Sequence, residues 1–231
     1  MVQYTEWRSI SDGSIISSIP DTGLDHLWYG PEISDVSTWP DSEGSLDASA
    51  SGSPTLSDIN GVQAVDYDAS DYHQTDDPAP FGNDNVWTAV AVVEPTDTDS
   101  REPVLENGDD NGFRLAIDFD ASDYRVIHNG EEAVAAGSPI TDPQVIVATY
   151  DGSSTIMDVN KNEQINTSIN PPTTPTGAVD IAFSTSLPTD FEGADYEGVT
   201  GAAGVEAAAA DSNRRDELAD LFADAFNIDL S

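Results

Sequence analysis

Cysteine is absent from this 231-residue chain. That excludes a disulfide scaffold, a Cys-ligated zinc, iron–sulfur chemistry and a cysteine nucleophile. Basic residues are nearly missing too: 7 Lys+Arg stand against 44 Asp+Glu, and Lys161 is the only lysine. Nucleic-acid binding needs cations to displace phosphate counterions, so no nucleic-acid partner is expected. Arg214–Arg215 is the one adjacent basic pair, and it falls on an expected helix. No stretch approaches the roughly 20 apolar residues that cross a bilayer, so no membrane partner is expected either. Met1–Pro20 holds Glu6, Arg8 and Asp12 and no apolar run beyond Ile15–Ile16, unlike a signal peptide or an anchor. There is no G-x-S-x-G, P-loop, H-E-x-x-H or dinucleotide glycine motif.

What is present is acid. The formal net charge is −37, and aspartate (31) far outnumbers glutamate (13). So much like charge destabilises a compact state unless something screens it. Salt near 1 M cuts the Debye length to about 3 Å, from about 10 Å at 0.1 M. Short acids with almost no lysine also keep a surface hydrated and soluble. The composition therefore points to a salt-saturated milieu, a haloarchaeon or something that infects one. Four Trp, seven Tyr, seven Phe and 38 % hydrophobic content give too much apolar material for a disordered acidic chain.

Strand signals run from about residue 24 to 184. Leu24–Tyr29, Gly61–Tyr67, Val86–Glu94, Pro103–Glu106, Gly112–Phe119, Tyr124–His128, Gln144–Tyr150, Thr155–Asn160 and Val179–Ser184 are short β-branched or aromatic runs between turn residues. Val86–Val93 and Val145–Tyr150 are almost continuously apolar and predict central strands buried on both faces. Phe113–Phe119 alternates and predicts a half-exposed strand. Asn-Gly in Glu106–Gly112 and in His128–Gly130 predicts hairpin turns. Residues 41–58 predict a long surface loop, and Asn170–Thr176, rich in proline, an exposed linker. Near the end the period changes. Leu218, Leu221, Phe222, Ala225 and Phe226 form one helical stripe, with Asp211 or Ser212 as N-cap and Asn227 as a left-handed C-cap. The expected helix spans 212–227. One internal repeat stands out: Asp66–Tyr72 (DYDASDY) recurs as Asp118–Tyr124 (DFDASDY). Two copies are too few for a solenoid, and each is expected to be a strand end entering a tight acidic turn.

The order of motifs resembles a known family. Val36-Ser-Thr-Trp-Pro-Asp41, then Ile59–Tyr72, then Trp87–Pro95 are similar to the successive motifs of laminin-G-like, concanavalin-A-like jelly rolls. Asn111–Leu115, Val145–Asp151 and the closing Glu217–Ile228 helix extend the resemblance to about 36–228. The chain departs from the pattern after Pro175 and has Ala69 at the family's glycine. The resemblance implies a mostly β, antiparallel β-sandwich with a C-terminal helix. Residues 1–22 are then an N-terminal arm or extension, and 23–231 the jelly-roll domain.

Glycosidases on this fold carry an E-x-D-x-E strand, and here no glutamate has an aspartate two positions later. The pairs Asp41/Glu43, Asp190/Glu192 and Asp195/Glu197 are spacings that a chain this acidic produces by chance. The domain is therefore expected not to be an enzyme. Laminin-G-like domains often hold calcium near a loop rim, which makes Asp68 and Asp71, with Asp66, candidate ligands, and Asp118, Asp120 and Asp123 their mirror. The competing reading is a set of solvated turn acids. His26, His73 and His128 are scattered and read as surface or hydrogen-bonded residues. Trp28, Trp39 and Trp87 read as core. Tyr4 and Trp7, aromatics in a polar arm, are the expected contact with another subunit. Asn166-Thr167-Ser168 is a lone glycosylation sequon, or a chance match to one.

The expectation is a non-enzymatic structural protein of the virion of a tailed haloarchaeal virus, as capsid decoration, vertex turret or tail fibre. Its partners would be copies of itself, other virion proteins and host surface glycans. It would be assembled in the host cytoplasm and be extracellular after release, which requires no signal peptide. The alternative is a secreted or cell-surface carbohydrate-binding module of a haloarchaeon.

Overall fold

A computed structural model gives the fold. The residues it describes are 22–68, 70–77, 86–96, 101–107, 113–119, 121–128, 131–136, 139–168, 179–181 and 196–230. The arm with Tyr4 and Trp7, the turns at 108–112 and 129–130, and the linker 170–176 lie outside them.

The fold is mostly β, an antiparallel sandwich of two eight-stranded sheets with one C-terminal helix, as the sequence predicts. The first sheet runs, in spatial order, β14 (Asn162–Ser168), β13 (Ser154–Val159), β12 (Gln144–Tyr150), β7 (Trp87–Pro95), β16 (Gly198–Glu206), β5 (Val62–Tyr67) and β4 (Thr55–Ile59); β1 (His26–Tyr29) also pairs with β16. The second runs β11 (Glu131–Ala136), β10 (Asp123–His128), β9 (Phe113–Asp118), β8 (Arg101–Asn107), β15 (Val179–Ile181), β6 (Tyr72–Thr75), β3 (Ala48–Ser51) and β2 (Thr38–Trp39). Trp28, Trp39, Trp87, Phe113, Leu115, Ile146 and Tyr150 meet between the sheets, all 1 % exposed or less. The three described tryptophans are thus core, as expected.

Helix α1 (Ser212–Phe226) covers the outer face of the first sheet. That is why β7 and β12 are apolar throughout. Trp87, Ala89, Ala91 and Val93 face the sandwich core, while Val90 and Val92 face the helix. The Asp211 carboxylate accepts from the Arg214 amide, and Asn227 closes the helix at φ 52°, both as the sequence predicts. Leu218, Phe222 and Phe226 are fully buried. Leu221 and Ala225 are only half-buried, because the stripe is centred toward Arg215, Ala219 and Ala223. Thr88 and Thr149, paired across β7 and β12, dock the approach to the helix, each accepting from the Ala210 amide, at 2.9 and 3.1 Å.

Two expectations are corrected, and strands appear that the sequence does not announce. Residues 41–58 are not one loop: they contain β3 and β4, whose Ala, Ser and Thr content hides the alternation. The longest strands described are β7 and β16, nine residues each, and β16 gives no strand signal because six of the nine residues in GVTGAAGVE are Gly, Ala or Glu, which have low strand preference. Its smallness has a reason. A Cβ on Gly201 would lie 2.5 Å from the Phe226 ring, so the helix can seat only on a bare backbone. Strand β14 follows β13 through Asn160 and Lys161, both at positive φ, a two-residue turn with no glycine. Finally, β9 is buried on both faces: Arg114, Ala116 and Asp118 are 8 %, 1 % and 2 % exposed.

Candidate functional site

Among the described residues no helix covers the second sheet, and most of its described outward side chains are polar. Register places Thr38, Ser49, Gln74, Asp180, Glu106, Arg114, Ile127 and Glu132 side by side in one row across all eight strands. For Thr38, Ser49, Gln74, Glu106, Arg114 and Ile127 the period of two puts the side chain opposite the core-facing set, since the neighbours His73, Leu105, Leu115 and Val126 point inward. At one end the row is open. Thr38, Ser49 and Gln74 are exposed, and the next pair in register, Ser51 and Tyr72, is half-exposed. Toward the middle it closes over a buried ion pair. Arg114 Nε donates to Glu106 Oε2 at 2.8 Å, with the two side chains 9 % and 1 % exposed.

The open end is held from behind. His73 is fully buried; its Nδ1 is 2.8 Å from the Tyr67 hydroxyl and its Nε2 2.8 Å from the Val36 carbonyl oxygen. The carbonyl can only accept, so Nε2 carries the proton and Nδ1 accepts from the tyrosine. Burial, outweighing the help of that carbonyl and of Asp71, lowers the His73 pKa to about 4. In front of it Asp71 accepts from the Ser53 amide at 2.8 Å. Gly52, at φ +82°, has no room for a Cβ against that carboxylate, so the turn after β3 is locked next to Ser51 and Tyr72.

A second carboxylate organises the loop after β1. Asp41 Oδ1 accepts from the Leu27, Glu43 and Gly44 amides, and Oδ2 from Leu46 N and, at 2.6 Å, from His26 Nδ1. Burial opposes ionisation there, but the bonds from His26 and the amides outweigh it and hold the carboxyl at about 2. The Trp-Pro-Asp motif that carries the family resemblance is therefore structural: Trp39 fills the core and Asp41 ties the loop. An acid so heavily engaged is not poised for proton transfer. His26 and His73 are hydrogen-bonded, as expected; the side chain of His128 lies outside the described residues.

The two DxDASDY copies turn out to do different things. The first carries the chain from β5 in one sheet to β6 in the other, while the second is the β9–β10 hairpin within a single sheet. In the first copy Asp66 senses the other two acids. Asp66 is raised by burial and then by the charges of Asp68 and Asp71. Yet Asp71 is turned onto Ser53, and among the described residues no three acid or histidine side chains converge so as to hold a metal ion. In the second copy Arg125 Nε sits 3.1 Å from Asp118 and 2.7 Å from Asp123, so an arginine already occupies the space between the carboxylates. Asp120 lies outside the described residues.

Sequence reasoning found the acids and missed the open patch, because it read residues 41–58 as loop and so could not place Ser49 and Ser51 beside Gln74 and Tyr72. The signal available was the two-residue alternation in Ala48–Ser51, too short and too small in side chain to register.

No family profile and no curated protein matches this sequence. Solved structures do match, at the level of fold. Trypanosoma rangeli sialidase, in complex with 2,3-difluorosialic acid, is similar with a TM-score of 0.64 at 15 % identity over 96 % of this chain, which spans only 36 % of the sialidase. Domain 4 of AbnA, a GH43 extracellular arabinanase from Geobacillus stearothermophilus solved with arabinotriose, matches with a TM-score of 0.60 at 12 % identity, over 85 % of this chain and 98 % of that domain. The receptor-binding domain of botulinum neurotoxin mosaic serotype C/D matches with a TM-score of 0.62 at 7 % identity, over 85 % of this chain and 50 % of that one. These identities carry the fold alone.

Proposed function

We propose that this domain binds a glycan without turning it over, through the open end of the polar face. The observation that carries the reading is the patch itself: a half-exposed Tyr72 flanked in register by Ser51, Ser49, Gln74 and Thr38. Sugar recognition wants an aromatic surface for the C–H face of a ring and a few fixed amide and hydroxyl groups for its hydroxyls. The locked turn at Gly52 and the buried His73 hold those groups in place before a ligand arrives, which lowers the ordering cost of binding. Support from outside is architectural, since the sandwich matches nearly the whole of an arabinanase domain solved with arabinotriose. The non-enzymatic half rests on the absence of the alternating carboxylate strand and on the full engagement of Asp41.

Titration with arabinotriose and a panel of neutral oligosaccharides in 2–3 M salt tests this. Tyr72→Ala and Gln74→Ala should each weaken binding about tenfold or more, as expected when about 1.4 kcal/mol is lost, with the β signature intact. Unchanged affinity in both variants, or no binding across the panel, overturns the site. Release of sugar from a polysaccharide overturns the non-enzymatic half.

The composition supplies the setting of the proposal: a structural component of a halophilic virus particle, or the surface of a haloarchaeon. Its assembling half predicts that deleting residues 1–12 leaves a folded sandwich that no longer self-associates. Light scattering in molar salt reads this, and a full-length chain that is strictly monomeric refutes it.

A further inference from the structure

The chain has one N-x-S/T sequon, Asn166-Thr167-Ser168, and the fold puts it where a modifying enzyme can reach it. It closes β14, which is the edge strand of the first sheet. All three residues are exposed, while the preceding Ile165 is buried in the core. With Ile165 pointing in, the strand period sends Asn166 and Ser168 out together, so the acceptor amide and the +2 hydroxyl stand on one solvent face. The Asn166 amide makes a 3.1 Å bond to Glu163 Oε2, an exposed contact that is readily given up.

A second observation is independent of the motif. The chain holds 44 acids in 231 residues, yet 164–179 contains none and no cation either, the longest acid-free run in the sequence. Elsewhere the surface is hydrated by carboxylates. At the exposed end of β14 the surface is instead the uncharged Asn166, Thr167 and Ser168. A covalent glycan would supply the hydration that this edge otherwise lacks, and it would also block the open strand edge from pairing with another chain.

We infer that Asn166 is an N-glycan acceptor. In the transfer, Asn166 Nδ2 bonds to the anomeric carbon of a lipid-phosphate-linked oligosaccharide. The anomeric C–O bond breaks, its electron pair leaves with the lipid phosphate, and one amide proton passes to a base of the transferase. The glycan would project from the outer face of the first sheet, away from the polar face of the second, so it would not occlude the binding patch. This inference is independent of the glycan-binding reading, and neither falls with the other.

The test is intact-mass and peptide analysis of the full chain, fused to an export leader, from a host that N-glycosylates its secreted proteins. The expected result is a glycopeptide covering 164–179, lost in Asn166→Gln and in Ser168→Ala and kept in Ser168→Thr. An unmodified peptide in exported, folded protein, while a control sequon in the same cells is occupied, overturns the inference. So does an added mass that survives Asn166→Gln.

Discussion

Removing the Arg215 guanidinium should damage this protein far more than removing the more exposed cation Lys161. Arg215 Nε lies 2.6 Å from Asp158 Oδ2, with the side chains 8 % and 10 % exposed, and its Nη1 donates to the Ala210 carbonyl at 3.2 Å. Asp158 sits on β13 on the helix side of the first sheet, opposite Val147. Breaking a buried pair from one side leaves an uncompensated charge and costs about 3–5 kcal/mol. For a domain of this size about 1 kcal/mol moves Tm by roughly 2–4 °C, so Arg215→Met should lower Tm by about 6–20 °C. Asp158→Asn should cost less, since the guanidinium keeps its bond to the Ala210 carbonyl and the asparagine amide oxygen can still accept from Nε. The double variant Asp158→Leu/Arg215→Met should recover most of the loss, because an apolar pair of similar volume often replaces a buried ion pair without penalty. Lys161 is the internal control. It pairs with Asp220, but the two side chains are 31 % and 60 % exposed, so Lys161→Met should cost under about 1 kcal/mol and less still in molar salt. Thermal unfolding in 3 M salt, followed by circular dichroism, reads all four. Equal Tm shifts for Arg215→Met and Lys161→Met, or no loss in Arg215→Met, would refute the reasoning.

Three further outcomes follow from the same structure. Gly201→Ala forces a methyl into the Phe226 ring and should cost about 1–3 kcal/mol of stability, with part of it returned by Phe226→Leu in the double variant; an unperturbed melting curve would show that the helix does not seat there. Stability should fall as pH drops from 6.5 toward 4, because unfolded histidine takes up a proton at 6.5 and buried His73 resists until about 4; the difference is worth about 3 kcal/mol, and a His73→Gln variant should lose that slope in denaturant titrations. Below about 3.8, protonation of Asp41 adds a further loss of the same sign. Dialysis from molar salt to about 50 mM should unfold the chain, since screening is what keeps a net charge of −37 compact; a β spectrum and Tm indifferent to salt would remove the ground for a halophilic origin.

Much of the fold was legible because it is written in large side chains. All nine expected strands exist, with β12 matching to the residue, and the helix with both its caps was visible from period and capping chemistry. What escaped is built of small residues. Strand β16 lies at the centre of a sheet, yet Gly201 and Gly204 are there to admit Phe226 and Leu24, so its sequence records what packs on it instead of a strand preference. The acids were legible as residues but not as contacts. Asp66, Asp68 and Asp71 have the spacing of a ligand set, but spacing does not show that Asp71 would bond Ser53 or that Arg125 would fill the matching space in the second copy. Position along the chain identified the groups; only the paired strands showed what each one faces.

The placement of the few cations also bears on which glycan the polar face would take. Five cations have described side chains, and each is paired with an acid: Arg114 with Glu106, Arg125 with Asp118 and Asp123, Lys161 with Asp220, Arg214 with Glu206 and Glu217, and Arg215 with Asp158. Three of these hold the helix to its sheet, and two lie in the outward face of the second sheet. A carboxylated sugar docking at Tyr72 would therefore meet one of these described arginines only by breaking an existing pair, within the field of a strongly negative chain. A neutral sugar needs only the amide, hydroxyl and aromatic groups that the patch exposes. At the proposed site, arabinotriose or another uncharged oligosaccharide should bind at least about tenfold more tightly than a sialylated one at moderate salt. The gap should narrow as salt rises toward 3 M, because only the charge repulsion is screened. A preference for the sialylated ligand that is lost in Arg114→Met would show instead that the Glu106 pair opens to receive a carboxylate.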